Sequence, residues 1–132
     1  TDGCGMFAAG SPFADVQWGG RTLVTSQCNN LYIFPGVGLG ALVAKAPKVT
    51  HGMFLAASRA LSALVTPEQE AQGHLLPPMR DLRRVSRAVA TAVAIEARDS
   101  GLGRMLGDDE YEQVVARAQW APEYAHFRPG KG

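Results

Sequence analysis

Charge is divided so unevenly along this chain that its first half is poorly suited to stand in water by itself. Of the 12 Asp and Glu residues, only Asp2 and Asp15 precede Pro67, and the other ten lie from Glu68 onward. The first half is otherwise rich in Gly, Ala, Val, Leu and Phe. A stretch so poor in charge leaves apolar surface bare unless something covers it. It reads as material packed inside a larger body, with the second half as its solvated flank. The net charge of +1 supplies no electrostatic footprint for nucleic acid or an anionic membrane. No apolar run reaches the ~18 residues of a membrane span, and no basic flank with an apolar segment marks a signal peptide. At 132 residues the chain suits one domain or a piece of a larger one. Because it begins with Thr1 and not Met, the expectation is that it was processed or cut from something longer. Cys4 and Cys28 read as two reduced thiols and not as a disulfide.

Local signals divide the chain into short strands followed by helices. Gly5 to Ala9 is an apolar run closed by Gly10-Ser11-Pro12, which predicts a buried strand ending in a turn. Val16-Gln17-Trp18 and Arg21-Thr22-Leu23-Val24 flank Gly19-Gly20, a two-residue hairpin turn that exploits glycine's tolerance of positive φ. Thr25 to Asn30 is polar and reads as connection. Leu31 to Ala46 is expected to be helical, with Pro35 marking a start or a kink. Thr50 can cap a helix running to about Val65, with Met53, Leu55, Ala56, Leu61 and Leu64 on its apolar side. Thr66-Pro67-Glu68-Gln69 has the marks of another start: a cap, Pro at the first position and acid in the first turn. Leu75 to Pro78 reads as a loop. The longest helix is expected from about Met79 to Asp99, with Leu82, Val85, Val89, Ala92 and Val93 at helical spacing and Gly101 as its stop. Asp108 can cap a last helix through about Gln119, and Ala121 to Gly132 is an extended tail.

Candidate chemistry gathers in Gln27-Cys28-Asn29-Asn30-Leu31-Tyr32-Ile33-Phe34-Pro35-Gly36. Two adjacent amides stand at the mouth of an apolar run, where their hydrogen bonds must be met by backbone, water or a ligand. An Asn side chain donates and accepts at once. That mixture suits a hydroxy-acid, whose carboxylate takes a hydrogen bond and whose hydroxyl gives one. A helix start just after Asn30 would add free N–H groups and a positive dipole end. From local physics alone, a turn or N-cap is the commoner explanation of Asn-Asn. Gly36-Val37-Gly38-Leu39-Gly40-Ala41 has the G-x-G-x-x-A spacing of a dinucleotide loop. Pro35 stands where a strand should end, however, and no acid follows within ~20 residues to take a ribose hydroxyl. These glycines instead thin one helix face for close packing. His51, His74 and His126 lack partners at metal-ligand spacing, and Asp108, Asp109, Glu110 and Glu112 form a helix start. The arginines from Arg80 to Arg87 suit a solvated face or an oligomer contact better than an anion site. No nucleophile stands beside a base.

Several ordered segments resemble the carboxyl-terminal part of malic enzyme. Thr1-Asp2-Gly3 with Met6-Phe7-Ala8-Ala9-Gly10-Ser11-Pro12-Phe13 is similar to that family's Thr-Asp-Gly…Phe-Ala-Ser/Thr-Gly-Ser-Pro-Phe stretch. The Asn29-Asn30 segment through Pro35-Gly36 resembles its Gln-Gly-Asn-Asn-x-Tyr-Ile-Phe-Pro-Gly. Met53-Phe54-Leu55-Ala56-Ala57, Leu76-Pro77-Pro78, Leu82-Arg83-Arg84-Val85-Ser86 and Trp120-Ala121-Pro122-Glu123-Tyr124 follow in family order. The resemblance implies an α/β fold: residues 1–29 as the end of a Rossmann-like nucleotide-binding domain, 30–101 as a helical return to the central domain, and 102–132 as a carboxyl-terminal helix and tail.

The resemblance also implies oxidation and decarboxylation of malate to pyruvate and CO2, with NAD or NADP as cofactor and Mg2+ or Mn2+ assisting. Asn30 would hydrogen-bond the substrate, and Asn29 would lie beside it near the nicotinamide. The expected partners are malate or pyruvate, the remainder of the enzyme chain and further copies in a homo-oligomer, with neither nucleic acid nor membrane. The compartment implied is the cytoplasm, or a mitochondrial or plastid matrix. Cys28 replaces the family's usual Gly, which costs stability if that backbone needs positive φ. The catalytic Tyr and Lys, the metal ligands and the dinucleotide fingerprint lie upstream in the family. No catalytic residue or metal ligand is therefore expected here, and Lys45 and Lys48 are no substitute for the missing base. The expectation is a fragment that is inactive alone. Its rival is a non-enzymatic helical module derived from the same segment.

Overall fold

The computed structural model describes residues 5–123. Four strands come first: β1 (Phe7–Ala9), β2 (Val16–Trp18), β3 (Arg21–Leu23) and β4 (Thr25–Gln27). The hairpin forms as expected, with Val16 opposite Leu23 and Trp18 opposite Arg21. Gly19 and Gly20 turn it at φ of 57° and 75°, the two successive positive values that a type I′ turn needs. β1 pairs in parallel with β4, Phe7 opposite Thr25 and Ala9 opposite Gln27. β4 occupies residues that read as connection. β1 is also less covered than expected: Phe7 is exposed and Ala8 and Ala9 are half-buried, because β4 is its one strand neighbour among the described residues.

Five helices follow: α1 (Phe34–Ala44), α2 (His51–Ser62), α3 (Pro67–Ala71), α4 (Leu82–Asp99) and α5 (Asp108–Ala118). Pro35 sits in the first turn of α1, so it starts the helix and does not kink it. Lys45 ends α1 in the left-handed region at φ 56°. Its N–H donates to Leu42 O and that of Ala46 to Ala41 O, each at 3.0 Å, which is a Schellman termination. Thr50 caps α2 by accepting from Met53 N at 3.3 Å. Thr66 and Gln69 form a reciprocal capping box on α3. Gly101 stops α4, with Gly101 N donating to Arg98 O and Leu102 N to Ala97 O.

Several details differ from expectation, among them α1 starting at Phe34 and α2 ending at Ser62. The Met79–Asp99 helix divides into a single 3-10 turn, Met79–Asp81, and then α4. Asp108 opens α5 without capping it; Gly107 is the cap residue, and its N–H donates to Glu110 Oε2 at 2.8 Å. On α2 the inward residues are Met53, Ala57 and Leu61, four apart, while Leu55 is exposed. The tail from Tyr124 on, with His126, lies outside the described residues, as do Thr1 to Cys4.

The core is built on α4, against which α1, α2 and α5 pack. Val85, Val89, Ala90, Val93, Ala94 and Ala97 are all fully buried, at the i, i+4 spacing of one helical face with its neighbours. The glycines of α1 explain how that helix fits. A Cβ on Gly36 would lie 2.5 Å from Val89 Cγ1, and one on Gly40 would lie 2.5 Å from Ala90 O. They are therefore packing glycines inside a helix, as their context implied, and not a phosphate loop. Gln119 and the arginines of α4 fasten the end of α5: Arg83 Nη1 donates to Trp120 O at 3.0 Å, Arg87 Nη2 to Gln119 Oε1 at 3.3 Å, and Gln119 Nε2 to Arg83 O at 2.9 Å.

Candidate functional site

Because β1 and β4 run in parallel, their carboxyl ends open at the same edge. Gly10-Ser11 leaves one strand there, and Cys28-Asn29-Asn30 leaves the other. The pairing continues past the strands: Cys28 N donates to Ala9 O at 2.7 Å, and Gln27 Nε2 donates to Gly10 O at 3.4 Å. In open α/β sheets, ligands bind in the crevice outside the carboxyl ends of parallel strands.

The two amides play different parts at this edge. Asn29 has extended backbone and caps a 3-10 turn, Asn30–Tyr32, by accepting from Leu31 N through Oδ1 at 2.9 Å. The turn role open to it from local physics is thus real. It occupies the carbonyl side of the amide and leaves the NH2 as what Asn29 offers a neighbour. Asn30 is exposed, and Asn29 is half-buried. The positive end of α1 does not begin directly behind Asn30, as expected, but at Phe34, after the 3-10 turn. The clefts among the described residues include three of about 600, 560 and 290 Å3, and neither Asn lines any of these three. The turn lies between two of these clefts: Gln27 and Tyr32 line the smallest, and Leu31 and Phe34 line the apolar one.

Tyr32 holds this turn in place, a role not read from the sequence. Its ring is buried, and its hydroxyl donates to Pro77 O at 2.5 Å, tying the Asn29–Tyr32 turn to the loop ahead of α4. Burial, with Asp81 and Cys28 nearby, pushes its phenol above the usual tyrosine range, so the hydroxyl stays a donor. A second tie reinforces the first: Leu75 N donates to the buried Ser26 Oγ at 2.8 Å. Cys28 is exposed. It is not among the described residues with positive φ, where Lys45 is the one non-glycine. The expected penalty for replacing Gly therefore does not arise. Lys45 is committed to ending α1. Among the described residues no three His, Cys, Asp or Glu side chains are grouped to hold a metal ion, and no helix is long and apolar enough to cross a membrane.

A parallel strand pair with polar side chains at its carboxyl edge, backed by a helical layer, has the features of the ligand edge of a nucleotide-binding α/β fold. Comparison with known proteins agrees. Residues 1–98 match the family model described as malic enzyme, NAD binding domain. The chain is 40% identical over 128 residues to the NAD-dependent malic enzyme of Erwinia tasmaniensis, and 44% identical over 131 residues to that of Pseudomonas savastanoi pv. phaseolicola. Each match covers 97% of this chain and 23% of the relative. Among solved structures, malic enzyme from Pyrococcus horikoshii superposes with a TM-score of 0.59 and 30% identity, over 70% of this chain and 21% of that one. The chain belongs to the malic enzyme family. It spans about 23% of the length of the relatives it matches.

Proposed function

We propose that this chain forms one wall of the active site of an NAD-dependent malic enzyme, which oxidises and decarboxylates malate to pyruvate and CO2. The observation that carries the reading is the placement of Asn29 and Asn30 at the carboxyl edge of β1 and β4. NAD, when bound, accepts the hydride from the substrate C–H bond. Asn30, with its side chain open to solvent at the edge, is the substrate contact, donating to a carboxylate oxygen and accepting from the hydroxyl. Asn29, whose carbonyl is held by Leu31 N–H, presents only its NH2 and suits a carbonyl or phosphate oxygen of the cofactor beside the substrate. Tyr32 and Pro77 position both by fixing the turn. Residues 1–29 then end the nucleotide-binding domain, 30–101 return to the central domain and 102–132 cover the outside. Mg2+ or Mn2+ and the proton-transferring groups are assigned to the remainder of the enzyme, which acts as a homo-oligomer in the cytoplasm.

The test is Asn30→Ala in the complete enzyme. The expected loss in kcat/KM for malate is ~1–3 kcal/mol, the scale for leaving a desolvated partner unpaired. Unchanged steady-state kinetics would remove Asn30 from the site. The 132 residues alone should form no NADH from malate with Mn2+, and clear turnover would refute the assignment of the reactive groups elsewhere.

A further inference from the structure

The cleft of about 290 Å3 between β4, α3 and the loop ahead of α4 has a lining of unusual composition. Arg80 and His74 contribute a guanidinium and an imidazole, and Gln27, Gln69 and Gln72 contribute primary amides, with the Thr25 residue at the rim. No Asp or Glu lines it. The ion pairs among the described residues are Arg84–Asp81, Arg98–Asp99 and Arg98–Asp108, and Arg80 is in none of them. Gln69 has its carbonyl engaged by Thr66 N–H at 3.0 Å, and its NH2 remains a donor. The inner end is closed by the buried Tyr32 and Pro77 and is held rigid by the bond between them. A permanent cation beside N–H donors, with no acid in the lining, is the chemistry that recognises an oxyanion, and Arg does so through two parallel hydrogen bonds.

We propose that this cleft is a binding site for a small oxyanion, a carboxylate or a phosphate, separate from the edge that carries Asn29 and Asn30. Its volume is at the lower end of ligand pockets and fits a phosphate or a short dicarboxylate better than a nucleotide. Tyr32 lines the cleft, and Asn30 does not. The site rests on the composition of the cleft and not on the malate reading.

Isothermal titration of the complete protein carrying these residues, at low ionic strength, tests it with two probes, inorganic phosphate and succinate. Saturable binding of at least one is expected, weakened roughly 10- to 100-fold by Arg80→Gln, the scale of a charge-assisted hydrogen bond. Arg84→Gln, outside the cleft, should leave it unchanged. Binding of phosphate alone assigns a phosphate-bearing ligand, and binding of succinate alone assigns a carboxylate; either supports the site. Asn30→Ala should leave the titration unaltered while it lowers kcat/KM for malate, which separates this site from the active site. Should Arg80→Gln fail to fold, His74→Gln replaces it, with a weakening also expected. No saturable heat with either probe, or equal affinity in the cleft variant and the parent, overturns the proposal.

Discussion

Replacing Gly40 with alanine sets helix propensity against packing, and Gly38 provides the reference within the same helix. Alanine gains roughly 0.5–1 kcal/mol over glycine in a helix interior, a benefit both positions share. What the new Cβ meets differs. At Gly38 nothing lies within 4 Å, whereas at Gly40 the Cβ would stand 2.5 Å from Ala90 O, 2.7 Å from Val93 Cβ and 2.9 Å from Val93 Cγ1. Ordinary carbon contacts are about 3.5–4.0 Å, so α1 must lift from α4 by about 1 Å or the backbone of α4 must give. The first obstacle is the backbone carbonyl of the fully buried Ala90, which cannot rotate away as a side chain could. Overpacking of this kind costs ~1–3 kcal/mol, and because the propensity gain cancels between the variants, they should differ by about that amount. Urea unfolding followed by circular dichroism measures it directly. Gly38→Ala should raise the midpoint and Gly40→Ala lower it, with the m-value unchanged in both. Equal midpoints would mean that α1 does not approach α4 closely at Gly40, and the account of these glycines as packing residues would fail.

Two further outcomes follow from the turn and the helix ends. Lys45→Gly should stabilise the chain by about 0.5–1 kcal/mol in the same assay, because a left-handed conformation strains an L-residue and not glycine; a loss of stability would contradict the Schellman geometry. Tyr32→Phe leaves the buried Pro77 O without its donor and should cost ~1–3 kcal/mol in thermal unfolding; no change would mean the phenol is not sealed against the loop. The same substitution has a pH signature. The folded phenol sits above its ordinary value of 10.0, so its contribution is complete below that pH and is lost as pH rises through the higher folded value. The parent should therefore lose stability in alkali more steeply than Tyr32→Phe, and parallel pH profiles would refute the burial of that group.

Legibility in the sequence followed the range of the interactions. Features made by neighbours a few residues apart could be read: the Gly19-Gly20 hairpin, the Thr50 and Thr66 caps, the Gly101 stop, and the exclusion of a phosphate loop once Pro35 was seen to start a helix. Features made across long separations could not. Thr25-Ser26-Gln27 has no apolar alternation and becomes a strand because Phe7–Ala9 pairs with it and Leu75 N–H satisfies Ser26. Tyr32 looks like any aromatic in an apolar run, and its partner lies 45 residues away. Leu55 was assigned inward by its type, yet Met53, Ala57 and Leu61 define the buried line. At the candidate site the amides were legible as residues. Which face of Asn29 is free, and which strand edge it shares, depended on the parallel pairing of β1 with β4.

The uneven charge of the sequence has a physical counterpart in what the fold leaves uncovered. Phe7, Phe13 and Trp18, on and beside the strands, are 60%, 62% and 51% exposed, although Phe and Trp are normally the most profitable residues to bury. A two-stranded parallel pair is not stable in isolation, and parallel strands occur with both faces covered. Here the helical core on α4 accounts for itself, with Tyr111, Met53, Val85, Val89, Val93 and Val115 sealed completely, whereas the strands bury little more than Ser26. A cover for them must come from polypeptide other than the described helices. That is the arrangement expected of a chain spanning 23% of its relatives' length: the part that carries Asn29 and Asn30 is also the part whose folding depends on what packs over it. The geometry of the site and the stability of the strands then have a common source, and Tyr32, bonded across to Pro77, is the point at which the self-sufficient helical core anchors both.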